Sequence, residues 1–142
     1  MVHMYQHDTK SSTLSIHASP DRAFPMFGPL GERAWAGAEW QPEVLWADGP
    51  GDREGMVFRQ RGEIWVNVRF DPAARVAEYV RFGADVVTRI RVALMPAGED
   101  ACSADVRYDW IAVTEAGNEE VPKRSASMTI DWDEAINAAL QE

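Results

Sequence analysis

The stretch that decides the fold runs from Asn118 to Leu140, NEEVPKRSASMTIDWDEAINAAL, near the end of a chain of 142 residues. Its apolar side chains recur at helical spacing and fall close to one stripe, namely Val121, Met128, Trp132, Ile136 and Leu140. Asn118 can cap the free N–H groups of a first turn, and Pro122 follows early enough that its missing N–H costs little. The pattern predicts one long amphipathic helix that closes the chain.

The segment before this helix reads as six strands. Each is short and rich in Val, Ile, Phe, Tyr and Trp, and turn residues such as Gly, Pro and Asp separate them. The predicted strands are Glu43–Ala47, Met56–Gln60, Ile64–Phe70, Arg75–Phe82, Val86–Met95 and Ala104–Val113. Because short loops join them, we expect antiparallel neighbours in one sheet.

The N-terminal part adds a strand and two short helices. Apolar and polar residues alternate over Ser11–Ala18, which predicts a half-buried strand. Ser19, Pro20 and Asp21 then have the properties of a helix start, and a second short helix is expected over Leu30–Ala36. Residues 1–10 read as a flexible arm, so that a single α+β domain spans residues 11–142.

The bulk composition excludes several classes of partner. A formal charge of −9 repels phosphate backbones and anionic membrane surfaces, so we expect neither nucleic acid nor membrane as a partner. No run approaches the roughly 20 apolar residues of a membrane span. Cys102 is the single cysteine, which excludes a disulfide framework within the chain and favours a reducing cytoplasm.

The order of these elements resembles the SRPBCC or START-like superfamily, in its bacterial polyketide cyclase/dehydrase-like branch. The residues that carry the resemblance are Ser19–Phe24, Gly31–Trp35, Gly37, Trp40, Trp65, Phe70–Pro72, Glu78–Arg81, Thr114–Asn118 and Trp132. The resemblance implies a helix-grip fold, in which a curved antiparallel sheet of about seven strands wraps around a long C-terminal helix. It also implies two short helices after the first strand and a cavity that accepts apolar small molecules.

Aromatic residues are the main candidates for such a cavity. Six tryptophans in one domain can fill a core, or several of them can line a pocket and offer N–H donors to a ligand. The candidate ligand-binding residues are Trp35, Trp40, Phe58, Trp65, Tyr79, Arg81, Tyr108, Trp110, Met128 and Trp132.

Strand alternation decides which of these side chains face inward. In the last strand the apolar set of Val106, Tyr108, Trp110 and Ala112 alternates with charged residues, so we expect this set inside. The strands over 64–70 and 75–82 leave both faces open, although the resemblance favours Trp65 inside. If Tyr79 and Arg81 also face inward, the cavity suits an anionic or phenolic ligand; otherwise Arg81 is a solvated strand residue.

Candidates for acid–base chemistry are scattered along the chain. They are the carboxylates Glu32, Glu39, Glu63, Glu78 and Asp109, with Tyr79 and Tyr108 as proton donors. Glu32 leads this set because, by resemblance, its short helix lies near the cavity mouth. His3, His7 and His17 lack the spacing and placement of a metal site, and we expect neither a metal nor a cofactor.

Three functions remain open at this point. The first is binding of a small hydrophobic or aromatic molecule between sheet and C-terminal helix. The second is a cyclase or dehydratase reaction that uses Glu32, Tyr79 or Tyr108 in the same cavity. The third is an interaction protein whose cavity is filled by side chains, and a homodimer is also left open.

Overall fold

Seven antiparallel strands form one sheet in the computed structural model, which describes residues 4–141. The strands are β1 (His7–Ile16), β2 (Glu43–Trp46), β3 (Val57–Gln60), β4 (Glu63–Asp71), β5 (Val76–Phe82), β6 (Val86–Pro96) and β7 (Cys102–Ala112). Their order across the sheet is β1-β7-β6-β5-β4-β3-β2, so only β1 leaves its sequence neighbours. The predicted α+β class and the six consecutive antiparallel strands are confirmed.

The first strand begins earlier than the sequence predicts. β1 pairs with β7 from His7 opposite Ile111 onward, and Lys10 lies opposite Tyr108. His7–Lys10 are polar and therefore read as part of an arm, but their backbone continues the hydrogen-bonded ladder of β7. The predicted arm over residues 1–10 is therefore wrong for His7–Lys10, and its residues 1–3 lie outside the described residues.

Short helices follow β1, as predicted. Helix α1 (Pro20–Ala23) has Ser19 as its N-cap, whose side chain accepts a hydrogen bond from the Arg22 N–H. It continues into a first 3-10 helix (Phe24–Phe27), and a second 3-10 helix follows (Gly31–Ala34). The second is shorter than the predicted Leu30–Ala36 because Trp35 leaves helical geometry, at φ −141°.

The C-terminal segment is two helices, which corrects the prediction of one long helix. They are α2 (Glu115–Ser127) and α3 (Asp133–Leu140). The N-cap of α2 is Thr114 and not Asn118, so Pro122 lies in the middle of α2. The Asn118 side chain accepts a hydrogen bond from the Gln6 N–H instead, at 2.7 Å.

Burial of Ile130 explains the break between the two helices. In a continuous helix, Ile130 would point about 200° away from Met128 and so away from the apolar stripe. The chain leaves helical geometry at Met128, and Ile130 becomes part of the core, with only 8% of its surface exposed. Lys10 Nζ donates to the Met128 carbonyl at 2.5 Å and so satisfies one group at the end of α2.

The two helices cover the inner face of the sheet unevenly. Helix α2 packs mainly on β7 and β1, and α3 packs on β1. Ile136 and Leu140 of α3 join the main core, which also contains Leu14 and Ile16 of β1. Contacts of the two helices with β6 are fewer than those with β7, so the inner face of the sheet beyond β7 has room for a pocket. No helix of the described residues is long and apolar enough to cross a membrane.

The start of α2 can be tested by removing its cap. The Thr114 hydroxyl accepts from the Gly117 N–H at 3.2 Å and donates to Asp85 at 2.7 Å. We expect Thr114→Ala to lower the free energy of unfolding by about 1–2 kcal/mol, because both bonds are lost. Urea titration measures the change. Thr114→Ser should restore most of it, whereas a larger loss in Asn118→Ala would show that the helix begins where the sequence suggested.

Candidate functional site

A pocket of about 320 Å³ lies between the inner face of the sheet, the second 3-10 helix and the start of α3. Its lining is Glu32, Trp35, Ala36, Trp40, Phe58, Trp65, Tyr79, Ile90, Val92, Tyr108, Asp131, Trp132 and Ala135. The volume is near the lower end of the range for ligand sites, about 300–1,000 Å³. Four of the six tryptophans, namely Trp35, Trp40, Trp65 and Trp132, surround this space and do not fill it, contrary to the filled-core alternative.

Strand register decides which sheet residues face this pocket. Tyr79 of β5 pairs with Asn67 of β4 and with Ile90 of β6, and Ile90 pairs with Tyr108 of β7. Directly paired residues point to the same face of a sheet, so these four form one inward row. The inward direction of Tyr108 is as predicted, and the open question for Tyr79 is answered, since it is buried and lines the pocket.

The adjacent inward row contains Trp65, Arg81, Thr88 and Trp110. Of these, only Trp65 lines the pocket, as the resemblance suggested. Arg81 lies beside it, with its guanidinium 5.5 Å from the centre of the Trp65 ring and its Nε 2.6 Å from Glu63 Oε1. Arg81 is therefore an ion-paired residue next to the pocket, outside its lining.

Two other predicted ligand-binding residues also lie outside the lining. Trp110 packs in a separate cluster with Val86, Ala112 and Val121, beneath α2. Met128 contacts the same cluster from the end of α2. Both are placed as core residues because α2 covers that end of the sheet. The other predicted residues, apart from Arg81, line the pocket together: Trp35, Trp40, Phe58, Trp65, Tyr79, Tyr108 and Trp132.

Asp52 holds the second 3-10 helix against the pocket. Its Oδ1 accepts from the Leu30 N–H at 2.8 Å and its Oδ2 from the Gly31 N–H at 3.0 Å. The packing is tight enough to require glycine, because a Cβ at Gly31 would lie 1.8 Å from the Pro25 carbonyl oxygen. The next residue is Glu32, so the interaction places its carboxyl group at the pocket.

The surroundings of Glu32 destabilise the ionised form of its carboxyl group. Burial raises its pKa well above the ordinary 4.5, and repulsion by the Asp52 carboxylate raises it further. Part of the residue remains accessible through the pocket. Within residues 4–141, no side chain or backbone group forms a hydrogen bond or ion pair with its carboxyl group. Glu32 therefore favours the protonated form and is free to interact with a bound molecule.

The two tyrosines differ in what their hydroxyl groups contact. The Tyr79 hydroxyl donates to the Phe27 carbonyl, which ties β5 to the first 3-10 helix. The Tyr108 hydroxyl has no hydrogen-bond partner in the described part of the chain. Burial is the main cause that raises the pKa of both phenols, and the charge of Glu32 adds to it. Both hydroxyls therefore stay protonated at neutral pH. The Tyr108 hydroxyl can form a hydrogen bond with a ligand in the pocket.

Rings that contact one another complete the lining. Trp35 lies 5.5 Å from Trp132, and Trp132 lies 6.1 Å from Tyr108, measured between ring centres. On the other side, Trp65 lies 5.6 Å from both Trp40 and Phe58. The indole N–H groups of Trp35 and Trp40 donate to backbone carbonyls, whereas that of Trp65 is buried without a partner among the described residues.

The remaining acid candidates are placed elsewhere. Glu39 is exposed, and Glu63 and Glu78 pair with arginines, namely Arg81 and Arg91. Asp109 points to the opposite face of the sheet from Tyr108. There it accepts hydrogen bonds from Thr9 and Arg107 and also contacts His7. None of the four lines the pocket.

Sequence reasoning missed two acidic residues at or beside the pocket, Asp52 and Asp131. Asp52 lies between the predicted strands Glu43–Ala47 and Met56–Gln60, and Asp131 lies within the predicted final helix, so neither position suggests a role in the site. The bonds from Leu30 and Gly31 to Asp52 join residues that are 22 and 21 positions apart, a distance that no local pattern reports. Asp131 reaches the pocket because the helix breaks just before it.

The described residues contain no group of three His, Cys, Asp or Glu side chains that could hold a metal ion. His7 Nε2 lies 3.1 Å from Asp109 Oδ1, and His17 is exposed directly after the end of β1. His3 lies outside the described residues.

Comparison with known proteins places this architecture. No family model and no curated protein sequence matches the chain. Among solved structures, norcoclaurine synthase from Thalictrum flavum aligns with a TM-score of 0.68 and 15% identity, covering 95% of this chain and 84% of the enzyme. The chain shares the helix-grip fold of this enzyme.

Other helix-grip structures agree. Ara h 8.0201 aligns with a TM-score of 0.61 and 13% identity over 96% of this chain and 99% of its own. DynU16, a protein of the dynemicin biosynthetic locus, aligns with a TM-score of 0.61 and 15% identity over 94% of this chain and 47% of its own. At these identities the likeness concerns the fold, while this chain's chemistry has to be read from its own pocket.

Because burial and Asp52 destabilise ionised Glu32, a neutral residue at this position should stabilise the folded protein. The folded pKa exceeds the unfolded one, so ionisation favours the unfolded state as pH rises above about 4.3. We expect Glu32→Gln to unfold at higher urea concentration than the wild type at pH 8, with a smaller difference at pH 5. The gain is about 1.4 kcal/mol for every pH unit between the two pKa values.

The control for this experiment is Glu39→Gln, whose side chain is 81% exposed. We expect its stability difference from the wild type to be small and nearly independent of pH. If Glu32→Gln were less stable than the wild type at pH 8, the carboxyl group would have a favourable partner in the folded protein.

Proposed function

We propose that this helix-grip protein binds a small aromatic molecule in the pocket of about 320 Å³. The observation that carries the proposal is the ring of aromatic side chains around a space that no side chain of residues 4–141 fills. Apolar burial supplies affinity there, and rings offer faces and edges against which a flat molecule packs. The Tyr108 hydroxyl, which has no hydrogen-bond partner among residues 4–141, would orient the molecule by a hydrogen bond.

The structural neighbours support a ligand of this class. One structure of norcoclaurine synthase from Thalictrum flavum is a complex with dopamine and hydroxybenzaldehyde, which are both small aromatic molecules. The shared fold provides a cavity between sheet and helices, and the side chains of each protein decide what enters. The modest volume favours a compact ligand over a lipid with long chains.

Blocking the pocket tests the proposal. Ala135 of α3 lines the pocket and is exposed, so Ala135→Trp adds a large ring in that space without truncating the core. We expect this variant to lose at least tenfold in affinity for an aromatic probe such as 2-phenylethanol, followed by quenching of tryptophan fluorescence.

The matched control is Ala138→Trp, which adds the same ring at an exposed position of α3 outside the pocket lining. It should bind as the wild type does. Equal affinity in both variants would place binding elsewhere on the protein. Failure of the wild type to bind any member of a panel of neutral and charged aromatic compounds would overturn the proposal.

A second candidate function is acid–base catalysis in the same pocket. It is favoured by the carboxyl group of Glu32, which has a raised pKa and no hydrogen-bond partner among the described residues, beside the Tyr79 and Tyr108 phenols. A carboxyl group whose pKa lies closer to neutrality is a better match to proton transfer at carbon than an ordinary one. The arrangement suits abstraction of a proton next to a carbonyl group, with a tyrosine hydroxyl donating to the carbonyl oxygen.

Proton exchange tests this alternative without knowledge of the natural substrate. The probe is 1-phenylpropan-2-one in deuterated water, and NMR follows loss of the protons next to the carbonyl. If the protein is an enzyme of this kind, exchange exceeds the buffer rate, and Glu32→Gln lowers the excess by at least about a hundredfold. Exchange at the buffer rate in the wild type would count against catalysis while leaving the binding proposal intact.

A further inference from the structure

We propose that the pocket selects an aromatic ammonium compound, with the charged nitrogen beside Glu32 and the ring among the tryptophans. The inference rests on the proposed binding function and names the charge of the ligand. It replaces the conditional expectation of an anionic or phenolic ligand, which required Tyr79 and Arg81 inside the pocket.

The charges of the lining have one sign. Among residues 4–141, the charged residues of the lining are Glu32 and Asp131, and none of the lining residues is Lys, Arg or His. Asp131 is exposed in the connection just before α3. With a formal charge of −9 on the chain, the field around the molecule also attracts cations to this opening.

Cations near the pocket are already engaged. Arg81 pairs with Glu63, at 2.6 Å. Arg33 donates to the Pro42 carbonyl at 3.2 Å, and Lys10 donates to the Met128 carbonyl. None of these groups contacts Glu32. An anionic ligand would therefore meet two carboxyl groups with no cation to bind it, which is unfavourable in a poorly solvated site.

The Glu32 carboxyl group lacks a partner among the described residues. Carboxylates that are removed from water are normally paired or hydrogen-bonded, yet this one has neither in the described residues. The Asp52 carboxylate is fixed nearby by two backbone N–H groups and adds negative potential at the same place. A ligand ammonium group would supply the missing partner through charge-assisted hydrogen bonds.

The aromatic rings near Glu32 also favour an ammonium group. Trp132 contacts both Trp35 and Tyr108 within the lining that also contains Glu32. The negative face of such rings attracts ammonium groups, most strongly where water is excluded. Rings and carboxyl group together therefore favour a cation over a neutral molecule of the same shape.

Binding of a cation is coupled to the proton on Glu32. The titratable groups that face the pocket around it are Tyr79 of β5, Tyr108 of β7 and Asp131 before α3, with Asp52 behind it and Arg81 beside Tyr108. The phenols stay neutral, so the ammonium group acts mainly by lowering the raised pKa of Glu32. Affinity should therefore increase as pH rises through that pKa.

Three probes of similar shape and different charge test the inference. They are 2-phenylethylamine, which is protonated at pH 8, the neutral 2-phenylethanol and the anionic 3-phenylpropanoate, each titrated calorimetrically into the full chain. We expect the amine to bind at least tenfold more tightly than the alcohol, and the anion to bind most weakly. In Glu32→Gln the amine and the alcohol should differ by less than about threefold, whereas the exposed control Glu39→Gln keeps the wild-type preference.

The outcomes separate this inference from the proposed function. Equal binding of amine and alcohol, lost in both cases in Ala135→Trp, would overturn the selection of a cation and leave aromatic binding in place. A preference for the amine that survives in Glu32→Gln would overturn the role of Glu32. Absence of binding by all three probes would overturn the inference and count against the proposed function as well.

Discussion

The pocket depends on the register of the antiparallel strands β4 to β7. The pairing of Asn67, Tyr79, Ile90 and Tyr108 sets one inward row, and the pairing of Trp65 and Arg81 begins the next. A shift of one residue would turn each of these side chains to the opposite face. The sheet would then present charged residues to the core, so burial of the apolar face maintains the register and, with it, the position of every pocket residue on the sheet.

Asp52 connects this sheet to the chemistry of the site. Its carboxylate satisfies two N–H groups at the second 3-10 helix, and those bonds oppose the effect of burial on its own pKa, as does the charge of Arg33. The same carboxylate repels that of Glu32, so a contact that stabilises the loop also destabilises ionised Glu32. Local stress of this kind is typical of binding and catalytic sites, where the surrounding fold compensates for it.

The division of the C-terminal segment shapes the pocket from the other side. A single helix would keep Trp132 on the stripe with Met128 and leave Ile130 pointing away from the core. With the break, Met128 and Trp110 join the core beneath α2, while Trp132 and Asp131 reach the pocket. This chain thus uses one end of the sheet for packing and the other for the pocket.

The sequence by itself determined the elements and most of the aromatic lining. The strands were predictable within a few residues, and so was the inward face of β7, because apolar residues there alternate with charged ones. Period alone could not assign β4 and β5, where both faces carry apolar side chains. The spacing of Met128, Trp132 and Ile136 is that of one continuous helix, whereas the backbone leaves helical geometry between α2 and α3. The apolar pattern therefore did not reveal the break. Three features became known from the tertiary structure alone. They are the hydrogen bonds of Asp52 to the second 3-10 helix, the ion pair between Arg81 and Glu63, and the lack of a partner for the Glu32 carboxyl group among the described residues. These depend on distances between residues far apart in the chain, and local pattern contains no information about them.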